Sequence, residues 1–220
     1  MHIDLYGQRI DLGENPSYLA VQRWFGHLSP EPETVAWIES LPAGSHFWDI
    51  GASVGTHAVR ACLRGMYVTA FEPHEPSFRD LTTVVELNKL VLRCYNVAFY
   101  AIPGLPGALG RGRSKYTFIP GAAPSATLVS TSLDYWAEHN SEVPDFLKLD
   151  VDGNEEKIIL GGQKVLPLIK SALIEVDPVV SPNLVGMMRE LGFRYDPAQV
   201  KACMITEGKY KGTANYIFYK

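Results

Sequence analysis

From His46 onward the sequence alternates short apolar runs with stretches of helical periodicity, and this alternation restricts the fold more than any other feature. "HFWDI" is followed by "THAVRACLRG", "MYVTAFE" by "PSFRDLTTVVELNKL", and "LRCYNVAF" by an irregular segment and then "STSLDYWAEHN". "DFLKLD", "EEKIILGGQKVLPLI", "SALIEVD", "SPNLVGMMRELG", "FRYDP" and a closing "ANYIFYK" continue the series. Runs this short and this apolar read as strands, and the stretches between them as helices. Gly65 and Gly192 stand where helix ends use glycine, and Pro76 stands near a first turn. The expected architecture is α/β, a mostly parallel sheet with helices on both faces.

Two segments fall outside the series. Residues 1–45 form a lead-in: "HIDLYGQRIDL" reads as a hairpin around Gly7, and "SYLAVQRWF" spaces Leu19, Val21, Trp24 and Phe25 as a helix does. "SPEPETVAWIESL" offers a cap at Ser29 and puts Val35, Ile38 and Leu41 on one face. Residues 101–125 are rich in Gly and Pro, with Arg111, Arg113 and Lys115 close together. This second segment reads either as an inserted hairpin or as a lid over a substrate. With 220 residues, the whole is expected to be a single domain with these two elaborations.

Charge and cysteine content remove several classes of function. The net charge of −4 argues against a general affinity for nucleic acid or an anionic membrane. No stretch nears the roughly 18 apolar residues of a membrane-spanning helix, and the N-terminus does not have the pattern of a signal peptide. The three cysteines, Cys62, Cys94 and Cys203, are far apart and form no CxxC pair. That fits reduced thiols and a cytoplasmic location.

The chemistry is expected where strands end. In an open parallel sheet, ligands bind outside the carboxyl ends of the strands. "DIGASVG" occupies such a place, with Asp49 closing a strand and Gly51 and Gly55 in the loop before a helix. The glycines permit close approach of a ligand, and the helix N-terminus offers free N–H groups. A dinucleotide fingerprint, G-x-G-x-x-G, needs a middle glycine against the pyrophosphate. Ser53 and its neighbours do not supply one, so a cofactor without a pyrophosphate at that point fits better. S-adenosylmethionine (SAM) has an amino-acid head whose ammonium Asp49 and nearby carbonyls can satisfy.

Glu72 ends the second strand roughly 20 residues after the glycine loop, where an acid commonly binds a ribose diol. SAM and NAD both need such an acid. Asp150 ends the fourth strand, and Asp152, Gly153 and Glu155 follow it. In such a turn Asp152 or Asn154 often caps the next helix. Clustered carboxylates, however, also call for a shared proton, a cation or a positive ligand. Together with Glu175 at the end of the fifth strand, Asp150 and Asp152 could form an oxygen-rich site of the kind magnesium accepts. A metal is not expected as a cofactor. His57 and His74 lie beside the cofactor loops, and Trp24, Trp37, Trp48 and Trp136 read as packing anchors.

At this point the chain resembles a family. "WDIGASVGTHAV", "FEPHEPSFRDLTTVVELN", "NVAF", "SLDYWAEH", "PDFLKLDVDGNEEKIILGG", "LIEVDP" and "NYIFYK" stand in the order found in FkbM-family SAM-dependent methyltransferases. The resemblance runs roughly from Glu33 to Lys220. It implies a Rossmann-like class I methyltransferase fold, a seven-stranded sheet whose last strand is antiparallel, and O-methylation of a sugar or secondary metabolite. It places the cofactor against Asp49, Gly51, Ala52, Ser53, Gly55, Glu72, Pro73 and Asp150, and the catalytic function on Asp150 and Asp152. Ser53 stands where the family usually has Asn, and Asp152 where it usually has Glu. The partner implied is a small-molecule acceptor, with neither nucleic acid nor membrane. Two other classes share the same sheet: an NAD(P)-dependent oxidoreductase, and a non-catalytic assembly partner with a SAM-type fold.

Overall fold

The N-terminal strands show how local sequence dictates local structure. In the computed structural model, which describes residues 1–26, 31–110, 116–121 and 128–220, β1 (His2–Leu5) and β2 (Gln8–Asp11) pair antiparallel. The two residues between them, Tyr6 and Gly7, both have positive φ, at 53° and 74°. That is the signature of a type I′ turn, whose twist matches the flanking strands. Then α1 (Tyr18–Trp24) begins at Ser17, whose side chain accepts from the Ala20 N–H. In α2 (Pro32–Ser40) the proline sits in the first turn and Glu31 is the cap residue. The expected cap at Ser29 lies outside the described residues.

The chain divides into two compact units, Met1–Asn96 and Val97–Lys220. In the first unit β3 (His46–Ile50), α3 (Thr56–Leu63), β4 (Tyr67–Phe71), α4 (Glu75–Leu87) and β5 (Leu92–Tyr95) alternate, and β3–β4 and β4–β5 pair parallel. The lead-in is part of this unit's core. Ile10, Leu12, Ala20 and Trp24 are buried with Val54 of the glycine loop, Val59 of α3 and Val84 of α4. Apolar residues of the lead-in therefore back the very loop that carries the candidate cofactor residues.

In the second unit β6 (Ala98–Phe99), β7 (Pro106–Gly110), β8 (Thr117–Pro120) and β9 (Leu128–Thr131) form a small sheet in the order β6-β9-β7-β8. After them come α5 (Leu133–Asn140), β10 (Phe146–Leu149), α6 (Glu155–Leu160), β11 (Ser171–Val176), α7 (Leu184–Glu190), β12 (Arg194–Tyr195), α8 (Pro197–Cys203) and β13 (Ala214–Tyr219). β10 and β11 are parallel, and β13 runs antiparallel to both β11 and β12. The antiparallel last strand is as the family resemblance implied.

One strand assignment changes. The run "LRCYNVAF" is not one strand: β5 ends at Tyr95, and Ala98–Phe99 pairs instead with β9. The break falls at Asn96, whose side-chain amide donates to the carbonyls of Glu72 (2.8 Å) and Pro73 (3.1 Å). Beyond the expected seven-stranded sheet, the hairpin and the small sheet add six strands among the described residues. The inserted segment contributes the antiparallel pair β7–β8, which is the hairpin reading. Arg111, Arg113, Lys115 and Ser125 lie outside the described residues. Helix α8 carried no signal that the alternating pattern had singled out.

Candidate functional site

In the first unit the loop after β3 is held in an unusual backbone conformation. Gly51, Ser53 and Gly55 have φ of 83°, 51° and 88°. Only glycine adopts this left-handed region without strain. The Gly51 and Ala52 N–H groups both donate to the Phe71 carbonyl, at 2.9 and 3.0 Å, and the Gly55 N–H donates to the Ala52 carbonyl. A β-carbon on Gly55 would stand 2.4 Å from Leu81 Cδ1. Leu81 is itself fully buried, so both the conformation and the packing select glycine there. Asp49, adjacent to the last residue of β3, is also fully buried.

Glu72 is bound into this loop. It is 7% exposed, and its carboxylate accepts from the Ser53 N–H and from the His74 N–H, each at 2.7 Å. The acid at the end of β4 and the glycine loop after β3 are thus one hydrogen-bonded assembly. Pro73 is anchored by Asn96 as described, an anchor that no sequence motif announced. His74 points its Nδ1 at Ser77 Oγ, 2.9 Å away, and burial pulls its pKa below the usual histidine value. Near neutral pH it is a neutral hydrogen-bonding ring.

In the second unit Asp150, Asp152 and Glu175 each bring an oxygen within 4.8 Å of the others. Parallel pairing of β10 with β11 sets Leu149 beside Ile174, which carries the acids at the two strand ends into one cluster. At an effective dielectric constant of about 20, two unit charges at that separation repel by roughly 3 kcal/mol. A positive charge nearby offsets that repulsion. One is Lys148, which is 1% exposed and places its ammonium 3.2 Å from Asp150 Oδ2. The sequence reading passed over Lys148. Its signal was one charge inside the apolar run "DFLKLD", two residues before Asp150 and so on the same face of the strand.

The turn after β10 is fixed by Glu155. Neither Asp152 nor Asn154 caps α6: Asn154 is the cap residue, but its side chain makes no capping bond. Instead it donates to Thr117 Oγ1 and the Phe118 carbonyl of β8, both at 2.8 Å. Glu155 Oε1 accepts from the Val151 and Gly153 N–H groups, each at 3.1 Å, and Ser181 Oγ donates to Oε2 at 3.4 Å. Burial pushes the Glu155 carboxyl up to about 7, with the nearby Asp150 charge adding to the rise and the backbone donors opposing it. Asp152 sits in the left-handed region at φ 60°, where Asp is among the more readily tolerated non-glycine residues.

The other expected residues are packing elements or inert. Trp24, Trp37 and Trp48 are buried, and Trp136 tilts against Phe99. Burial pushes the Cys94 thiol up to about 12, which removes it as a nucleophile near neutral pH. Among the described residues no helix is long and apolar enough to cross a membrane.

Comparison with known proteins bears on the family and the fold. The chain is 29% identical over 157 residues to the hexuronic acid methyltransferase AglP of Haloferax volcanii, an alignment covering 66% of this chain and 62% of that protein. The chain thus spans under two thirds of that relative's length. Among solved structures it is similar to magnesium protoporphyrin IX methyltransferase from Synechocystis PCC 6803 with bound SAM. The TM-score is 0.55 at 14% identity, covering 94% of this chain and 86% of that one. It is also similar to the METTL16 methyltransferase domain, with a TM-score of 0.54 at 15% identity, covering 92% of this chain and 77% of that one. These likenesses show the fold to be that of the class I SAM-dependent methyltransferases. The model of the methyltransferase FkbM domain matches residues 49–195, from the buried acid before the glycine loop to the edge strand β12, and the chain belongs to that family.

Proposed function

We propose that the protein transfers a methyl group from SAM to an oxygen of a sugar-type small molecule. The observation that carries this reading is the joining of Glu72 to the Ser53 N–H at 2.7 Å. It makes the ribose-binding acid and the glycine loop a single cradle, in a loop that has no glycine for a pyrophosphate. A carboxylate accepts about four hydrogen bonds, so anchoring the loop is compatible with ribose hydroxyls donating to the same group. Asp49, Gly51, Ala52, Ser53, Gly55, Glu72 and Pro73 are assigned to the cofactor, with Asp49 supplying charge for its ammonium. SAM supplies a methyl on a sulfonium, and in-line attack by the acceptor oxygen releases a neutral thioether, S-adenosylhomocysteine (SAH).

Asp150 and Asp152 are assigned to the acceptor, with Asp150 also a candidate for the cofactor side. An alcohol must lose its proton as the new bond forms, and a positioned carboxylate can take it. The similarity to a hexuronic acid methyltransferase supports a sugar-type acceptor. A uronic acid offers two kinds of oxygen. Its hydroxyls need a base, whereas its carboxylate is already ionised and needs none.

Calorimetry with SAH and with NAD tests the cofactor. SAH should bind and raise the melting temperature, whereas stabilisation by NAD alone would turn the reading into an oxidoreductase. The acceptor is tested by mass spectrometry after incubation with SAM and a panel of hexuronic acids and neutral hexosides. Asp150→Asn should lower turnover by about 10²–10⁴-fold if a hydroxyl is methylated, and far less if a carboxylate is. SAH binding with no methylated product from any oxygen acceptor would favour a non-catalytic partner.

A further inference from the structure

Lys148 has an exposure and a place that packing alone does not explain. Every residue of β10, Phe146–Leu149, is buried, and in such a strand an apolar side chain would serve the core at no electrostatic cost. A buried ammonium persists only where it is paired and hydrogen-bonded. Here the side chain leans along the strand to its carboxyl end, where Nζ meets Asp150 Oδ2 at 3.2 Å. The Lys148 side chain is 2% exposed and that of Asp150 25%. The cation is therefore inside and fixed, and the carboxylate reaches out from it. Asp150 is also one of the three acids whose oxygens converge within 4.8 Å.

We propose that Lys148 is a positioning residue whose ammonium is the built-in cation of the Asp150–Asp152–Glu175 cluster. It fixes the orientation of Asp150 and offsets the cluster's negative charge, so that the carboxylates stand together without a divalent metal. A covalently tethered cation differs from a metal in a useful way. It has three donors and no demand for six oxygen ligands, so it leaves carboxylate oxygens to face an acceptor. The proposal draws on the acceptor-side reading of Asp150 only for its catalytic consequence. The pairing of Lys148 with Asp150 does not depend on that reading.

The test measures melting with and without millimolar MnCl₂ for the wild type, Lys148→Met, Lys148→Arg and Lys148→Met/Asp150→Asn, each also titrated with SAH. The wild type and Lys148→Arg should not respond to manganese. Lys148→Met should melt lower, and manganese should raise its Tm by on the order of 3 °C by occupying the vacated charge position. Adding Asp150→Asn to Lys148→Met should abolish the response and recover part of the lost stability, a non-additivity that a merely structural lysine would not produce. If Lys148→Met does not accumulate as folded protein, Lys148→Gln carries the same measurement. A manganese response in the wild type would overturn the proposal, because the cluster's cation would then be a metal. So would a Lys148→Met protein indifferent to manganese and additive with Asp150→Asn. Absence of SAH binding in every variant would instead strike the methyl-transfer reading, and it would leave the lysine assignment to the manganese result.

Discussion

Glu155→Gln should make the protein more stable at alkaline pH and leave it unchanged in acid. The amide retains the shape of the carboxyl group. Its oxygen can still accept from the Val151 and Gly153 N–H groups, and its NH₂ takes the position facing Ser181. What it removes is a charge in a nearly inaccessible place, since Glu155 is 3% exposed. The carboxyl is pushed from 4.5 up to about 7 chiefly by burial. Because the folded pKa lies above the unfolded one, the native state binds the proton more tightly. The resulting stabilisation is fully present below 4.5 and is lost as pH rises through about 7. A displacement of that size corresponds to about 3 kcal/mol. Glutamine behaves as the permanently protonated form and has no such dependence. Urea denaturation of the wild type and Glu155→Gln from about pH 5 to about pH 8 would read the difference. The variant's advantage should grow steadily across that window, toward an upper bound of about 3 kcal/mol. A difference that stays constant with pH, or a variant less stable at about pH 8, would refute the argument that burial outweighs the three backbone donors, the N–H groups of Glu155, Gly153 and Val151.

Other substitutions probe the first unit. Glu72→Ala should weaken SAH binding by roughly 1–3 kcal/mol, about 5- to 150-fold. It should also lower the urea midpoint, because the Ser53 and His74 N–H groups lose their acceptor; unchanged SAH affinity in a folded variant would remove Glu72 from the cofactor site. Gly55→Ala should destabilise by about 1–3 kcal/mol, from the left-handed backbone and from the clash with buried Leu81, and an unchanged thermal midpoint would show that Leu81 gives way freely. Ser53→Asn should stabilise by roughly 0.5–1 kcal/mol in chemical denaturation, because Asn tolerates φ near +51° better than Ser does. A loss of stability would mean that the asparagine side chain does not fit the loop.

Much of this was legible in the sequence because the signals are local. Apolar runs of strand length gave the positions of β3, β4, β10, β11 and β13 to within a residue or two, since burial on both faces of a parallel strand removes polar residues from it. Gly51 and Gly55 marked a left-handed loop because side chains resist that conformation. Asp150, Asp152 and Glu175 could be named together because parallel strands end at the same edge of a sheet.

Tertiary structure alone decided the rest, because pairing and burial are set by residues distant in the chain. "LRCYNVAF" is apolar from end to end, and nothing local shows that Asn96 turns to the carbonyls of Glu72 and Pro73 and divides it between two sheets. That the lead-in's Ile10, Leu12 and Trp24 support Val54 of the glycine loop follows from packing between residues at least thirty positions apart in sequence. Residue type shows Lys148 as a charge, but only the fold shows that the charge is buried and directed at Asp150. Likewise Glu155 reads as an ordinary acid at a helix start. Its proton affinity comes from the loss of water around it, a property of the assembled interior that no stretch of sequence carries.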